Sequence, residues 1–142
     1  MKRIFVDTSG WANLAYTSEP YYQLATEIYV SASKSQQRLV TTNYIIAELV
    51  PLLTSVLKVS RPRIIDFING IKSSQNVDFI HIDKVGDSKA WELLENRKDK
   101  TWSLVDSSSF VTMEALGITD ALTTDHHFEQ AGFVRLLGNL KQ

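Results

Sequence analysis

Short β-branched runs alternate with helix-length apolar periods from one end of this 142-residue chain to the other, and that alternation restricts the fold more than any other feature. Strands are expected over Arg3 to Val6, Leu39 to Thr41, Val77 to Ile82, Ala121 to Thr123 and Phe133 to Leu136. Between them the apolar spacing predicts helices over Tyr21 to Ser33, Tyr44 to Leu57 (opened by Asn43), Pro62 to Lys72, Lys84 to Asn96 and Leu104 to Leu116, with a short helix after Asp125. Asp83 suits the N-cap of the fourth of these, and Gly117 the stop of the fifth. Strands separated by helices cannot pair as hairpins, so the sheet is expected to be mostly parallel and covered by helices on both faces, an α/β fold. The chain carries no repeat, low-complexity tract or linker-like stretch, and residues 1–142 read as a single domain.

Composition removes several function classes. There is no cysteine, which excludes a disulfide framework, thiolate chemistry and cysteine-rich zinc sites, and which fits a reducing, cytoplasmic location. No apolar run has the length of a membrane span, and the start Met1-Lys2-Arg3-Ile4-Phe5-Val6-Asp7 enters a strand directly, so a soluble protein with no membrane partner is expected. Fifteen Lys plus Arg against sixteen Asp plus Glu give a net charge of -1, so a polyanionic partner would have to be met by a local basic patch. Lys58, Arg61 and Arg63 form one such cluster, and Arg97, Lys98 and Lys100 another; each also reads as a solvated helix end.

Ligands of open α/β sheets bind beyond the carboxyl ends of the strands where strand order reverses. Asp7 ends the first strand and Asp125 follows the strand around Leu122 and Thr123, so both reach that crevice if their strands are neighbours. Glu48 shares a helix face with Ile45 and Leu52, and a carboxylate on a packed face is unfavourable unless it is paired or metal-bound. Asp106 shares a face with Phe110 and Met113 at the start of its helix. Four carboxylates at one mouth make a site for Mg2+ or Mn2+, hard ions that prefer oxygen ligands and assist phosphodiester cleavage. Each acid also has a structural explanation. Asp7 suits the N-cap of a helix beginning near Trp11, Asp125 a turn or an N-cap, Glu48 a buried salt bridge, and Asp106 the acid of a capping box begun by Ser103. Thr8 and Ser9 are either capping hydroxyls or groups that orient water or phosphate. Asp120 is expected at the opposite sheet end or in the preceding turn, as a secondary candidate. A histidine-based zinc site at His126 and His127 is not expected, because adjacent side chains diverge and the remaining histidine, His81, lies on a distant strand.

The ordered set Ile4-Phe5-Val6-Asp7-Thr8-Ser9, Thr42-Asn43-Tyr44-Ile45-Ile46-Ala47-Glu48-Leu49, Ser103-Leu104-Val105-Asp106 and Ala121-Leu122-Thr123-Thr124-Asp125-His126-His127-Phe128 resembles PIN-domain ribonucleases, and more narrowly the VapC-type toxins of toxin–antitoxin pairs. The resemblance runs over essentially the whole chain. It implies a five-stranded parallel sheet of order 3-2-1-4-5, and an acidic quartet of Asp7, Glu48, Asp106 and Asp125 that binds magnesium or manganese, with Thr8 or Ser9 as the supporting hydroxyl. It also implies RNA as substrate, an antitoxin protein as partner and a homodimer, and the aromatic and apolar residues of Trp11 to Tyr22, expected to be exposed close behind Asp7, read as the surface for such a chain. Arg97, Lys98 and Lys100 are the expected phosphate contacts, and hydrolysis would leave 5′ phosphate and 3′ hydroxyl ends. The other readings on this scaffold are a catalytically inactive PIN-fold binding module and a PIN nuclease of RNA processing. A phosphoacceptor receiver would have two adjacent acids after the first strand, and a haloacid-dehalogenase-type phosphatase would have Asp-x-Asp there; Asp7-Thr8-Ser9 has neither.

Overall fold

The computed structural model describes residues 2–138. Five parallel strands form one sheet in the order β3-β2-β1-β4-β5. They are β1 (Arg3–Val6), β2 (Arg38–Thr42), β3 (Val77–Ile80), β4 (Asp120–Leu122) and β5 (Val134–Arg135). The expected strand order and α/β class are thus what the chain adopts. The helices are α1 (Thr8–Ala15), α2 (Tyr22–Lys34), α3 (Asn43–Pro51), α4 (Arg61–Ser73), α5 (Lys84–Asn96), α6 (Leu104–Leu116) and α7 (His127–Gln130).

The order of the chain through this sheet decides where a crevice opens. Connections from β1 to β2 to β3 step one way, and those through β4 to β5 step the other, so right-handed crossovers place the two sets of helices on opposite faces. Aromatic packing marks the two layers. Trp11 of α1 meets Phe67 of α4 edge-on, while Phe110 of α6 packs on Trp102, Phe128 and Phe133, and Phe128 reaches Phe5 of β1. Alternation along β1 explains the division, because Phe5 points to one face while Ile4 and Val6 point to the other. The strands nearest the middle are buried on both faces, as their uninterrupted apolar runs require. Step reversal occurs between β1 and β4, where Ile4, Phe5 and Val6 register with Asp120, Ala121 and Leu122.

The structure departs from the sequence-based expectation at five places. Helix α3 is capped by Thr42, whose hydroxyl accepts from the Ile45 amide at 3.2 Å; Asn43 instead accepts from the Ile82 amide at 2.7 Å. That bond takes the donor Ile82 would have offered to a neighbouring strand, and β3 ends at Ile80. The helix expected to run to Leu57 continues past Pro51 as a π-helical turn over Leu52–Val56, because proline has no amide to offer the preceding turn. Trp11, expected among exposed aromatic residues behind Asp7, is a core side chain whose indole donates to the Thr41 hydroxyl at 3.0 Å. A helix was expected only from near Trp11; α1 starts at Thr8, directly after β1.

Helix α1 lies so close to β4 that Gly10 has no room for a side chain: an added Cβ would sit 2.2 Å from the Leu122 carbonyl oxygen. Helix propensity alone favours Gly10→Ala by about 1 kcal/mol. A backbone clash outweighs it, and Gly10→Ala is expected to destabilise the protein by roughly 1–3 kcal/mol net. Chemical denaturation that found the alanine variant more stable than wild type would contradict this close approach.

Candidate metal centre

The crevice at the carboxyl ends of β1 and β4 collects the four expected carboxylates from four different elements. Asp7 is the residue after β1, and its amide donates to the Leu122 carbonyl at 3.2 Å, tying the two strand ends together. It occupies the N-cap position of α1, but its side chain makes no capping bond. The carboxylate turns into the protein instead. Its Oδ2 accepts from the Thr123 hydroxyl at 2.9 Å and from the Ser9 hydroxyl at 3.3 Å. Ser9 in turn accepts from the Thr124 amide at 2.9 Å, and Thr123 from the Asp125 amide at 3.0 Å. Two hydroxyls therefore lock the β1 end to the loop after β4.

Glu48 comes from the middle of α3 and is only partly buried, which corrects the expectation of a fully packed position. Its Oε1 accepts from the Thr8 hydroxyl at 2.5 Å, so Thr8 serves the acid of another helix rather than capping its own. No basic residue pairs with Glu48 among the described residues, which removes the buried salt bridge as its explanation. Asp106 does complete the capping box: Ser103 Oγ accepts from the Asp106 amide at 2.9 Å, and Asp106 Oδ2 accepts from the Ser103 amide at 3.1 Å. The same Oδ2 also faces His127 Nδ1 at 3.1 Å. Capping and site-building are therefore compatible here, because a capping acid in the first turn of α6 lies at the crevice. Asp125 accepts from the His127 amide at 2.9 Å and faces the same Nδ1 at 3.3 Å. Asp120 lies at the other end of β4, paired with Lys2 at 3.1 Å, and takes no part.

Thr123 and His127 are the members of this site that sequence reasoning passed over. Thr123 was concealed in a β-branched run that looked like strand alone. His127 was set aside because neighbouring histidines were expected to diverge. They do not: the bond from the His127 amide to Asp125 folds the turn so that both imidazoles lie by Asp125, their ring centroids 4.5 Å apart. The basic loop before α6 reaches the same mouth through Thr101, 3.4 Å from His127 Nε2. Within it, Arg97 is held by both oxygens of Asp99 at 3.0 Å and stacks on Trp102, and Lys100 approaches Asp99 at 3.9 Å. Lys98 is exposed and has no carboxylate partner among the described residues.

The electrostatics identify the member under most strain. Burial pushes the Asp7 carboxyl up from 3.8 to about 7, the Thr123 hydroxyl and Thr8 amide offset part of that rise, and the charges of Asp106 and Glu48 add to it. Asp106 is also raised, first by burial and then by Asp125, against the lowering effect of the Ser103 amide and His127. A cation fits these donors. All four side chains offer hard oxygens, and Asp106 Oδ1 and Glu48 Oε2 accept no hydrogen bond among the described residues. Among the described residues, no three of the four carboxylates offer oxygens that all lie within 4.8 Å of one another.

Because the folded Asp7 value lies above its unfolded value of 3.8, the fold favours the protonated carboxyl. Its contribution is complete below pH 3.8, declines as pH rises, and is lost once pH passes about 7. The size is on the order of 4 kcal/mol at most. Thermal scans in EDTA are expected to show wild type losing stability relative to Asp7→Asn as pH rises from 3.8 to about 7, and no further relative loss above that. Added divalent metal is expected to stabilise wild type more than the variant. Parallel pH profiles for the two proteins would exclude a strained Asp7.

No protein-family model matches the chain. Over 133 residues it is 30% identical to the 23S rRNA-specific endonuclease VapC20 of Mycobacterium tuberculosis, in strains CDC 1551 / Oshkosh and ATCC 25618 / H37Rv, covering 94% of this chain and 97% of the relative. The crystal structure of M. tuberculosis VapC20, a Sarcin-Ricin loop cleaving toxin, matches with a TM-score of 0.81 at 29% identity, over 92% of this chain and 96% of that one. VapBC2 from Rickettsia felis, bound to a DNA fragment from its promoter, matches with a TM-score of 0.64 over 94% of this chain and 96% of that one, and at 14% identity it shares the fold alone. An ordered set of acids at one strand mouth, and identity sustained over nearly the full length of both chains, lead to one conclusion: this protein belongs to the VapC family of PIN-domain toxins.

Proposed function

We propose that this protein is a Mg2+- or Mn2+-dependent endoribonuclease, the toxin of a toxin–antitoxin pair, with Asp7, Glu48, Asp106 and Asp125 as its ligand set. One observation carries the proposal: a buried carboxyl, Asp7, held at about 7 beside the charges of Asp106 and Glu48 in the crevice where β1 and β4 part. Such an arrangement costs stability in the bare protein and is relieved by a cation.

When bound, the ion supplies neutralisation of phosphate charge and acidification of the attacking water. The side chains do the rest. Thr123 and Ser9 fix the direction of the Asp7 carboxylate, Thr8 fixes Glu48, and His127 Nδ1 holds Asp106 and Asp125 on one side of the crevice. Locking these side chains in advance removes reorganisation from the reaction. Beside Glu48 the surface opens into a hollow of about 440 Å3 lined by Tyr44, Ala47 and Val105, an approach for an RNA strand. Lys98, whose ammonium is unpaired among the described residues, is the favoured phosphate contact of the basic loop, with Lys100 second; Arg97 is committed to Asp99. Because the M. tuberculosis relative is a 23S rRNA endonuclease, the substrate class we assign is an exposed loop of structured RNA, where phosphates and unstacked bases are within reach.

The antitoxin partner and a homodimeric state belong to the same proposal. An apolar cavity of about 490 Å3 between α1, α2 and α4, with Leu14, Tyr22, Tyr29 and Phe67 in its lining, supports a partner with apolar side chains.

Purified protein is expected to cut loop-containing RNA with Mg2+ or Mn2+ and to stop in EDTA. Asp7→Asn and Asp106→Asn are each expected to lower kcat by about 10³-fold, roughly 4 kcal/mol of transition-state stabilisation, with circular dichroism unchanged. Undiminished cleavage in EDTA would remove the metal-dependent reading, and no cleavage under any metal would favour an inactive binding module. Sedimentation at tens of micromolar, roughly where weak interfaces still associate, is expected to give a dimer, and a monomer there would refute that part.

A further inference from the structure

We propose that Asp125, His126 and His127 form a second cation site, distinct in chemistry from the all-oxygen centre beside it, that takes a late first-row divalent ion such as Zn2+. Donor atoms of these three side chains lie within 4.8 Å of one another. Asp125 Oδ1 is 3.3 Å from His127 Nδ1 and 3.8 Å from His126 Nδ1, separations that an ion between them would bridge with little side-chain movement. Asp106 Oδ2, 3.1 Å from His127 Nδ1, contacts one of these ligands but lies outside the three-residue cluster, which leaves the remaining coordination positions to solvent.

The surroundings of His127 suit a ligand. Its Nδ1 faces carboxylate oxygens of Asp106 at 3.1 Å and Asp125 at 3.3 Å, so a cation bound to that nitrogen would sit beside negative charge. Its Nε2 lies 3.4 Å from the Thr101 hydroxyl, which would accept the Nε2 proton and leave the Nδ1 lone pair free for a metal. His126 is 65% exposed at its side chain, so an ion reaches the site directly from solvent. Imidazole nitrogens favour Zn2+, Ni2+ or Cu2+, whereas Mg2+ requires oxygen, so the two neighbouring sites select different ions. Sharing Asp125 makes them antagonists. Occupancy of the histidine site withdraws Asp125 from the acidic quartet, a consequence that rests on the nuclease reading, while the site itself does not.

The test is calorimetric titration of Zn2+ into the full chain with millimolar Mg2+ present, for wild type, His126→Ala, His127→Gln, Thr101→Val and Asp7→Asn. One Zn2+ per chain is expected. Thr101→Val should weaken binding by about 10-fold, either histidine variant by about 100-fold, and Asp7→Asn not at all. In imidazole 1H–15N spectra Zn2+ should shift Nδ1 of His126 and His127 and leave His81 unmoved. Equal Zn2+ affinity in wild type and the well-exposed His126→Ala variant overturns the proposal. So does loss of binding in Asp7→Asn, which would place the ion in the acidic centre. Mg2+-dependent RNA cleavage without zinc is read separately: its absence removes the nuclease reading and leaves the zinc site standing, and histidine-independent zinc binding does the reverse.

Discussion

A carboxylate buried at the end of the central strand is the constraint around which the crevice is organised. Desolvation of Asp7 is the largest cause of its raised pKa, and the protein offsets it in part with hydroxyls: Thr123 donates at 2.9 Å, and Ser9 adds a longer bond. Those hydroxyls are themselves held by backbone amides of the loop after β4. The loop is further latched where Arg135 donates to the Thr124 carbonyl at 2.9 Å. Relaxing Asp7 would therefore mean releasing β1, α1 and the β4 loop together.

Topology makes such a cluster possible without long-range strain. Reversal of the chain's direction across the sheet leaves the ends of β1 and β4 uncovered, and α1, α3, α6 and the 123–127 loop each deliver a side chain to that gap within their first residues or their middle turn. The glycine at position 10 permits α1 to lie against the Leu122 carbonyl, which keeps Thr8 and Ser9 directed toward their partners. Hydroxyl side chains on α1 and in the loop after β4, rather than lysine or arginine, hold Asp7 and Glu48 in place. An arginine or lysine among them would satisfy the same charges and leave nothing for a metal to do.

On the far side of the crevice, His127 changes the character of the cluster. Through one nitrogen it faces both Asp106 and Asp125, so the second half of the quartet is organised by an imidazole where the first half is organised by hydroxyls. Together with His126 it sets nitrogen donors beside hard oxygen donors. Ion identity in this chain is then a question of which half of the crevice is engaged, and ion preference follows from ligand softness rather than from total charge.

Much of this was readable in the residues themselves. Local periodicity located α5 and α6 at their observed bounds, Asp83 as a cap and Gly117 as a left-handed stop, because those signals depend only on neighbours in sequence. The ordered motifs named the four acids, and the capping box at Ser103 and Asp106 was visible as a spacing. Tertiary structure alone decided the rest. Thr8 was readable as a hydroxyl near an acid, but its partner is Glu48, forty positions away, and Thr123 serves Asp7 across 116. Trp11 looked like exposed surface until the core closed over it, and His127 looked like half of a diverging pair until the Asp125 turn gathered both rings. Hydrogen-bond partners and burial belong to contacts between distant segments. A sequence determines which groups are available and which elements carry them; the packing of sheet and helices determines which of those groups meet and how much water is left between them.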